Sequence, residues 1–168
     1  MLKLQYFGDI ALKTPAVDYT PEEYDDAVAL ANDMFELLRK AKGIGLSANQ
    51  VGVLKSVFVI SIDGIDRVFI NPKVVVASET KETQPEGCLS LPGYSLDIER
   101  PTSITLTWVN EHKVQQFAEL EGLWARCALH ELDHLHGILI KDRVSRLAFD
   151  METRRLKKKL KKLGVASR

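Results

Sequence analysis

Two histidines and a glutamate lie close together in the segment His130-Glu131-Leu132-Asp133-His134. If this HExxH segment is helical, the two histidines share one face and can chelate a single metal ion. Glu131 then lies beside the ion and can act as a general base toward a water that the ion activates. The alternative is an ordinary helix face that carries two histidines and no metal, with Asp133 either exposed or supporting a ligand.

A catalytic zinc-type centre usually has three protein ligands, so the two histidines need a partner. The candidates are Cys88, Cys127, His112, His136 and scattered carboxylates. Cys127 would lie about 7.5 Å along the helix axis from the level of the ion. A cysteine reaches a metal only about 5 Å from its own Cα. Cys127 is therefore better explained as a core thiol.

Cys88 is better placed, because it lies in a turn-rich segment, EGCLS, outside any helical pattern. A cysteine next to a glycine on a turn can approach a metal held by another segment, although a lone cysteine is usually structural. His112 lies in a predicted hairpin turn and is expected to be solvated. His136 is expected to cap the end of the HExxH helix, where a cation is favoured.

A third segment, GIGLSANQ, occupies residues 43–50. Its two glycines allow the backbone to approach another group closely, and it lacks the Gly-Lys-Ser/Thr ending of a phosphate-binding loop. Gln50 can offer its side-chain amide as a neutral donor to a developing oxyanion. The alternative is a helix stop followed by an ordinary loop.

The elements that position these segments follow from turn residues and hydrophobic periodicity. A helix is predicted to begin at Thr20, with a Thr20/Glu23 capping box and Pro21 in the first turn, and to stop at Gly43. Two more helices are predicted at 123–136 and 145–163. Short strands are predicted at 57–62, 68–70, 74–76, 103–109 and 114–120, and 78–101 is rich in turn formers. This order predicts an α+β fold, with short, mostly antiparallel strands around a central HExxH helix and with N-terminal and C-terminal helices.

Composition limits the functional classes. The 168 residues suit one domain, and 23 basic against 23 acidic residues leave no net charge, which argues against wholesale nucleic-acid binding. Two cysteines are too few for a disulfide framework, and the apolar run near 57–60 is too short to span a membrane. The N-terminal segment does not resemble a signal peptide. We therefore expect a soluble cytoplasmic protein that binds neither DNA nor a membrane.

Taken together, the three segments resemble the peptide deformylase family. GIGLSANQ is similar to the first motif of that family, EGCLS to the second and HELDH to the third, in the same order and at similar separations. The N-terminal GDIALKTPA also resembles the opening segment of the family, so the resemblance covers nearly the whole chain. Ser47 stands where the family commonly has Ala, and Leu129 where it usually has Gln.

The resemblance implies a metal-dependent hydrolase that removes the formyl group from N-formylmethionine of nascent polypeptides, as a single catalytic domain over residues 1–168. It implies that Cys88, His130 and His134 hold the metal. The usual metal of the family is Fe²⁺, and Zn²⁺, Ni²⁺ or Co²⁺ are possible substitutes. A thiolate ligand softens the metal and suits Fe²⁺ as well as Zn²⁺.

The resemblance also implies roles for the remaining site residues. Glu131 would act as the general base and then as the acid. Gln50 and the backbone N–H of Leu89 would bind the formyl oxygen as charge develops on it. Gly45 would hydrogen-bond the peptide backbone as an added strand, and Ile44 would help to form an apolar pocket for the methionine side chain.

The predicted C-terminal helix, 145–163, is basic, with seven cations and no acid within Arg154–Lys162. These cations either form a solvated helix face or dock the protein on RNA. Resemblance to bacterial-type deformylases, whose terminal helix binds the ribosome, favours a ribosomal partner. Two other functions stay open: another HExxH metallopeptidase, and a non-catalytic, ribosome-associated metal-binding module. Glu131 and Gln50 argue against the module, and Cys88 argues against the peptidase.

Overall fold

The computed structural model of the protein describes residues 2–163, and its order of elements is α+β, as predicted. A five-stranded antiparallel sheet has the strand order β1-β2-β3-β6-β7, and β4 and β5 form a separate two-stranded sheet. The strands are β1 (Gly45–Ser47), β2 (Val57–Ile62), β3 (Ile65–Ala77), β4 (Lys81–Cys88), β5 (Leu91–Pro101), β6 (Ser103–Val109) and β7 (Gln115–Glu121). The helices are α1 (Tyr24–Ala41), α2 (Gly122–Leu135) and α3 (Arg146–Lys162).

The first helix begins with the predicted cap but ends one residue early. The Glu23 carboxylate accepts a hydrogen bond from the Thr20 N–H (2.8 Å), and a 3-10 turn, Pro21–Glu23, leads into α1. At the other end, Lys42 rather than Gly43 adopts the left-handed conformation, with φ 55°. Gly43 follows it and donates its N–H to the Leu38 carbonyl. The prediction that Gly43 is the stop was therefore wrong by one position.

The sheet lies between two helices because alternate side chains of β2 are buried on opposite faces. Val57 and Val59 pack with α1 in one core cluster. Phe58 and Ile60 pack with α2 in a second cluster. A strand covered on both faces reads as a continuous apolar run, which explains the sequence VFVISI. α2 is thereby fixed against the sheet.

The segment 78–101, which is rich in turn formers and for which no strand was predicted, contains the long β4–β5 hairpin. Its partners run from Lys81↔Pro101 to Cys88↔Leu91. A two-stranded sheet consists of edge strands, which tolerate proline because a ladder hydrogen bond is not required on the open side. Predicted strands 68–70 and 74–76 are likewise parts of a single strand, β3, which has register shifts in its second half.

The C-terminal helix α3 packs on β5. The rings of Tyr94 and Phe149 stack with centroids 5.2 Å apart, and the Ser95 N–H donates to the Glu152 carboxylate. No helix in the described part of the chain is long and apolar enough to cross a membrane. The predicted domain bounds 1–168 include Met1 and residues 164–168, which lie outside the described residues, so the single-domain assignment stays a prediction.

Candidate active site and metal centre

One sulfur and two imidazoles converge where the β4–β5 hairpin meets α2. Cys88 lies at the end of β4, and His130 and His134 lie one turn apart on α2. One ligand atom from each lies within 4.8 Å of the others, and Cys88 Sγ is 3.3 Å from His134 Nε2. A set of one sulfur and two nitrogens suits a catalytic transition-metal site, in which a water or the substrate takes the fourth position.

Cys127 lies on the same helix but does not join this group. It is 5% exposed and packs in the core cluster between α2 and the sheet. Burial raises the pKa of its thiol. His112 is exposed in the turn before β7, and His136 is the residue that ends α2. These placements agree with the sequence expectations.

A buried network of ion pairs, which the sequence does not predict, supports the imidazole of His130. It consists of Glu86, Arg100, Arg126 and Asp133. The Glu86 carboxylate accepts from Arg100 at 2.6 and 2.9 Å and from Arg126 at 2.8 Å. Arg100 also donates to Asp133 at 2.9 Å, and so joins the hairpin to α2. The network is therefore placed to hold the β4–β5 hairpin, which carries Cys88, in a fixed position relative to α2.

The network contacts the group of candidate metal ligands, Cys88, His130 and His134, through His130. His130 Nδ1 lies 3.0 Å from the Glu86 carboxylate, which leaves Nε2 for the metal side. Burial opposes charge on His130, but hydrogen bonds with Cys88 and Glu86 outweigh it and raise its pKa to about 10. A metal ion bound at Nε2 would therefore displace a proton from this ring. Burial similarly opposes charge on Glu86, but bonds from His130 and Arg100 lower its pKa to about 2. A carboxylate behind a ligating histidine fixes the tautomer and the ring orientation.

The other imidazole has a different environment. His134 is 1% exposed, and burial lowers its pKa well below the usual value, with the neighbouring positive charges of His130 and Arg100 adding to the effect. It is therefore neutral, which is the form in which imidazole binds a metal. Its Nδ1 is buried and has no hydrogen-bond partner in the described part of the chain.

Glu131 is the residue that follows His130 on α2, and it is almost wholly buried, at 2% exposure. Burial raises its pKa to about 7, and the positive charges of His130 and Arg100 oppose that rise only partly. A carboxyl group with this pKa can both take and give a proton near neutrality. A side chain at position 45 would place its Cβ 2.4 Å from Glu131 Oε1, which explains why this position is glycine.

Gln50 approaches the group of candidate metal ligands from a 3-10 turn, Ala48–Val51, that follows β1. Its Nε2 lies 3.7 Å from Cys88 Sγ, and the residue is 1% exposed. The sequence suggested only a loop here. Instead β1 and the 3-10 turn present Gly45 and Gln50 at fixed positions.

A cavity of about 480 Å³ opens beside these groups. Its walls include the predicted residues Ile44, Gly45, Gln50, Cys88, Leu89, His130 and Glu131. Ile44 is 44% exposed at the wall, and Cys127 contributes to the apolar lining. The cavity is large enough for an apolar side chain together with part of a peptide backbone.

Known proteins of one family are similar to this chain over most of its length. The family model of polypeptide deformylase matches residues 1–150. A peptide deformylase of Rhizobium meliloti (strain 1021) is 45% identical over 153 residues, which cover 87% of this chain and 88% of the relative. A crystal structure of a peptide deformylase from Legionella pneumophila aligns with a TM-score of 0.87 and 32% identity, covering 99% of each chain. A Synechococcus elongatus peptide deformylase in complex with actinonin aligns with a TM-score of 0.83 and 38% identity, covering 98% of this chain and 87% of the other.

Proposed function

The chain belongs to the polypeptide deformylase family, and on that premise we propose how its own residues remove the formyl group from N-formylmethionine of a nascent polypeptide. The convergence of Cys88, His130 and His134 beside the buried Glu131 is the observation that carries the proposal. The reaction hydrolyses the formamide bond and releases formate and a free amino terminus.

The proposed metal ligands are the Cys88 thiolate, His130 Nε2 and His134 Nε2. The metal is proposed to be Fe²⁺, with Zn²⁺, Ni²⁺ or Co²⁺ as substitutes, because a mixed sulfur and nitrogen donor set suits these ions. When bound, such an ion polarises the formyl carbonyl and lowers the pKa of a water toward neutrality.

Glu131 is proposed as the proton carrier. Its raised pKa, about 7, allows it to accept a proton from the attacking water and to deliver that proton to the leaving amine. Gln50 Nε2 and the Leu89 backbone N–H are proposed to donate hydrogen bonds to the formyl oxygen as negative charge develops. A pair of such neutral donors stabilises an oxyanion without taking part in proton transfer.

The peptide is proposed to bind as an added strand along β1. β1 is an edge strand of the five-stranded sheet, and Gly45 lies both in this strand and in the cavity wall. A peptide laid along this edge gains backbone hydrogen bonds that do not depend on its sequence. The methionine side chain would enter the apolar cavity beside Ile44.

Two variants, each of which replaces one cysteine by alanine, test the metal assignment. Cys88→Ala should lose most of its metal, whereas Cys127→Ala should keep it, because only Cys88 lies in the group of potential ligands. Metal content is measured after anaerobic purification with Fe²⁺. Equal metal content in the two variants would contradict the assignment.

The reaction is tested by release of formate from a formyl-Met peptide by Fe²⁺ or Ni²⁺ protein. Glu131→Ala should bind metal and lose nearly all turnover. Gln50→Leu should lose about 10²- to 10³-fold in kcat, the usual effect of removing one oxyanion donor. Rapid cleavage of unformylated peptides would favour the metallopeptidase alternative. Full turnover in Glu131→Ala or in Gln50→Leu would show that the replaced residue has no role in the mechanism.

The ribosome is proposed as a partner of α3, and the cytoplasm as the site of action. All seven cations of Arg154–Lys162 are exposed, and Arg155 alone among them forms an ion pair in the described part of the chain, with Glu152. Leu156 and Leu160 are half-buried on the opposite side of the helix. The helix therefore presents its cations to solvent, and there are more of them than can interact with the helix dipole in its last turn.

A charge-matched pair of variants tests this partner. Changing five helix lysines to Gln should weaken ribosome binding and leave deformylation of small peptides intact. The helix set is Lys157, Lys158, Lys159, Lys161 and Lys162, and the control set is Lys3, Lys13, Lys40, Lys73 and Lys113. Wild-type binding should also fall steeply with salt, since counterions are released on contact with RNA. Equal co-sedimentation of both variants at low salt would leave α3 as a solvated face.

A further inference from the structure

The side-chain amide of Gln50 is held by hydrogen bonds on both of its polar ends. Its Oε1 accepts from the Ser47 N–H at 3.0 Å and from the Ser47 hydroxyl at 3.2 Å. Its Nε2 donates to Ser90 Oγ at 3.1 Å and faces Cys88 Sγ at 3.7 Å. Gln50, Ser47 and Ser90 are each no more than 1% exposed, so water does not compete for these positions.

The amide can in principle turn by half a revolution, which exchanges its oxygen and nitrogen. In the turned state Nε2 would face the Ser47 N–H, donor against donor, and Oε1 would face the Cys88 sulfur, acceptor against acceptor. Ser90 does not discriminate between the two states, because a hydroxyl can either donate or accept. The choice between them therefore falls to the Ser47 backbone N–H and the Cys88 sulfur, and the Ser47 hydroxyl adds a second hydrogen bond that holds the amide in place.

We propose that Ser47 is a positioning residue, whose hydroxyl helps to hold the Gln50 amide so that the N–H not bonded to Ser90 is directed at the reacting carbonyl. This inference rests on the proposed role of Gln50 as a donor to the formyl oxygen. The Ser47 hydroxyl fills the second acceptor position of Oε1, which an alanine side chain could not do. A carbonyl oxygen that accepts two hydrogen bonds also polarises its amide, which strengthens donation from Nε2.

The test compares Ser47→Ala in two backgrounds, in the iron-loaded enzyme with a formyl-Met peptide. In the otherwise unchanged chain, kcat should fall about two- to tenfold, the effect of one neutral buried hydrogen bond, with KM nearly constant. In the Gln50→Leu background the same change should cause no further fall, because the amide that it positions is gone. Ser56→Ala is the matched control, since Ser56 is a buried serine that does not contact Gln50. It should leave kcat unchanged.

The cycle separates positioning from simple loosening of the fold. A purely structural effect would lower kcat by the same factor in both backgrounds, and so would an effect through Glu131, whose pKa is raised by burial and lowered by a hydrogen bond from Ser47. That result would overturn the proposal. Unchanged kcat in Ser47→Ala would overturn it as well. In either case the wild-type enzyme still releases formate, whereas failure of the proposed function would appear as no formate release by the wild type.

Discussion

Replacing Arg100 by Gln removes the positive centre of the buried ion network. Arg100 is 4% exposed and makes three charge-assisted hydrogen bonds, two to Glu86 and one to Asp133. Its loss leaves two buried carboxylates with fewer partners. Removing one member of a buried ion pair typically costs about 3 to 5 kcal/mol, because the remaining charge stays buried. Glu86 keeps Arg126, and Asp133 keeps Arg143, so we expect the lower end of this range.

Arg39→Gln is the matched control, because it makes the same chemical change in an exposed ion pair. Arg39 pairs with Asp66, and the two side chains are 59% and 35% exposed. Exposed pairs contribute about 0 to 1 kcal/mol. The two variants should therefore differ by at least about 2 kcal/mol in the free energy of unfolding, measured by urea denaturation with similar m values. Equal stabilities would refute the argument that burial makes this network matter.

The same variant should weaken metal binding, because Arg100 helps to fix the Glu86 carboxylate that bonds His130. Loss of such an outer contact typically lowers metal affinity about 10- to 100-fold. Competition with a chelator measures this change, and Arg39→Gln should show none. A destabilised variant with unchanged metal affinity would mean that the network supports the fold without orienting the ligand.

Two further substitutions follow from close contacts and burial. Gly45→Ala would bring a Cβ to 2.4 Å from Glu131 Oε1 and 2.6 Å from Cys127 Sγ. Because Glu131 would have to move, formate release should fall by more than tenfold. Turnover equal to wild type would show that both side chains can move aside without loss of activity. Burial raises the pKa of Tyr19 to about 12, so the stability that this phenol contributes is present below pH 10 and is lost as the pH rises from about 10 to 12. Tyr19→Phe should remove this part of the alkaline loss in urea unfolding curves, and identical pH profiles would contradict the sign of the shift.

The sequence predicted features whose physics is local. The HExxH spacing places both histidines on one helical face whatever surrounds them, and α2 has that geometry. The cap of the first helix depends on residues three apart and was also found. The sequence does not predict the β4–β5 hairpin because Pro85 and Pro92 are turn formers, although edge strands accept proline. β1 was missed because three residues beside glycines carry too weak a pattern.

The ion network could not be predicted in this way. Glu86 and Arg100 are 14 residues apart, and Asp133 lies 33 residues beyond Arg100, so no periodicity connects them. Asp133 was proposed as a support for a ligand, and it does face Arg100. Glu86 belongs to the EGCLS segment, but the sequence does not indicate a partner for its carboxylate. Long-range pairing of charges emerges only when the hairpin packs on α2.

The polar atoms left without partners indicate where the fold serves chemistry rather than stability. Buried side-chain oxygens and nitrogens are normally hydrogen-bonded. In the described part of the chain three buried side-chain atoms lack a partner, and two of them, Glu131 Oε2 and His134 Nδ1, belong to the HExxH segment. His130, on the same helix, is fixed by Glu86 through its Nδ1. For the carboxylate the missing partner has a chemical reason. A group that must accept a proton and then release it is hindered by a strong donor bound to the same oxygen, and Glu131 Oε2 has no such donor in the described part of the chain.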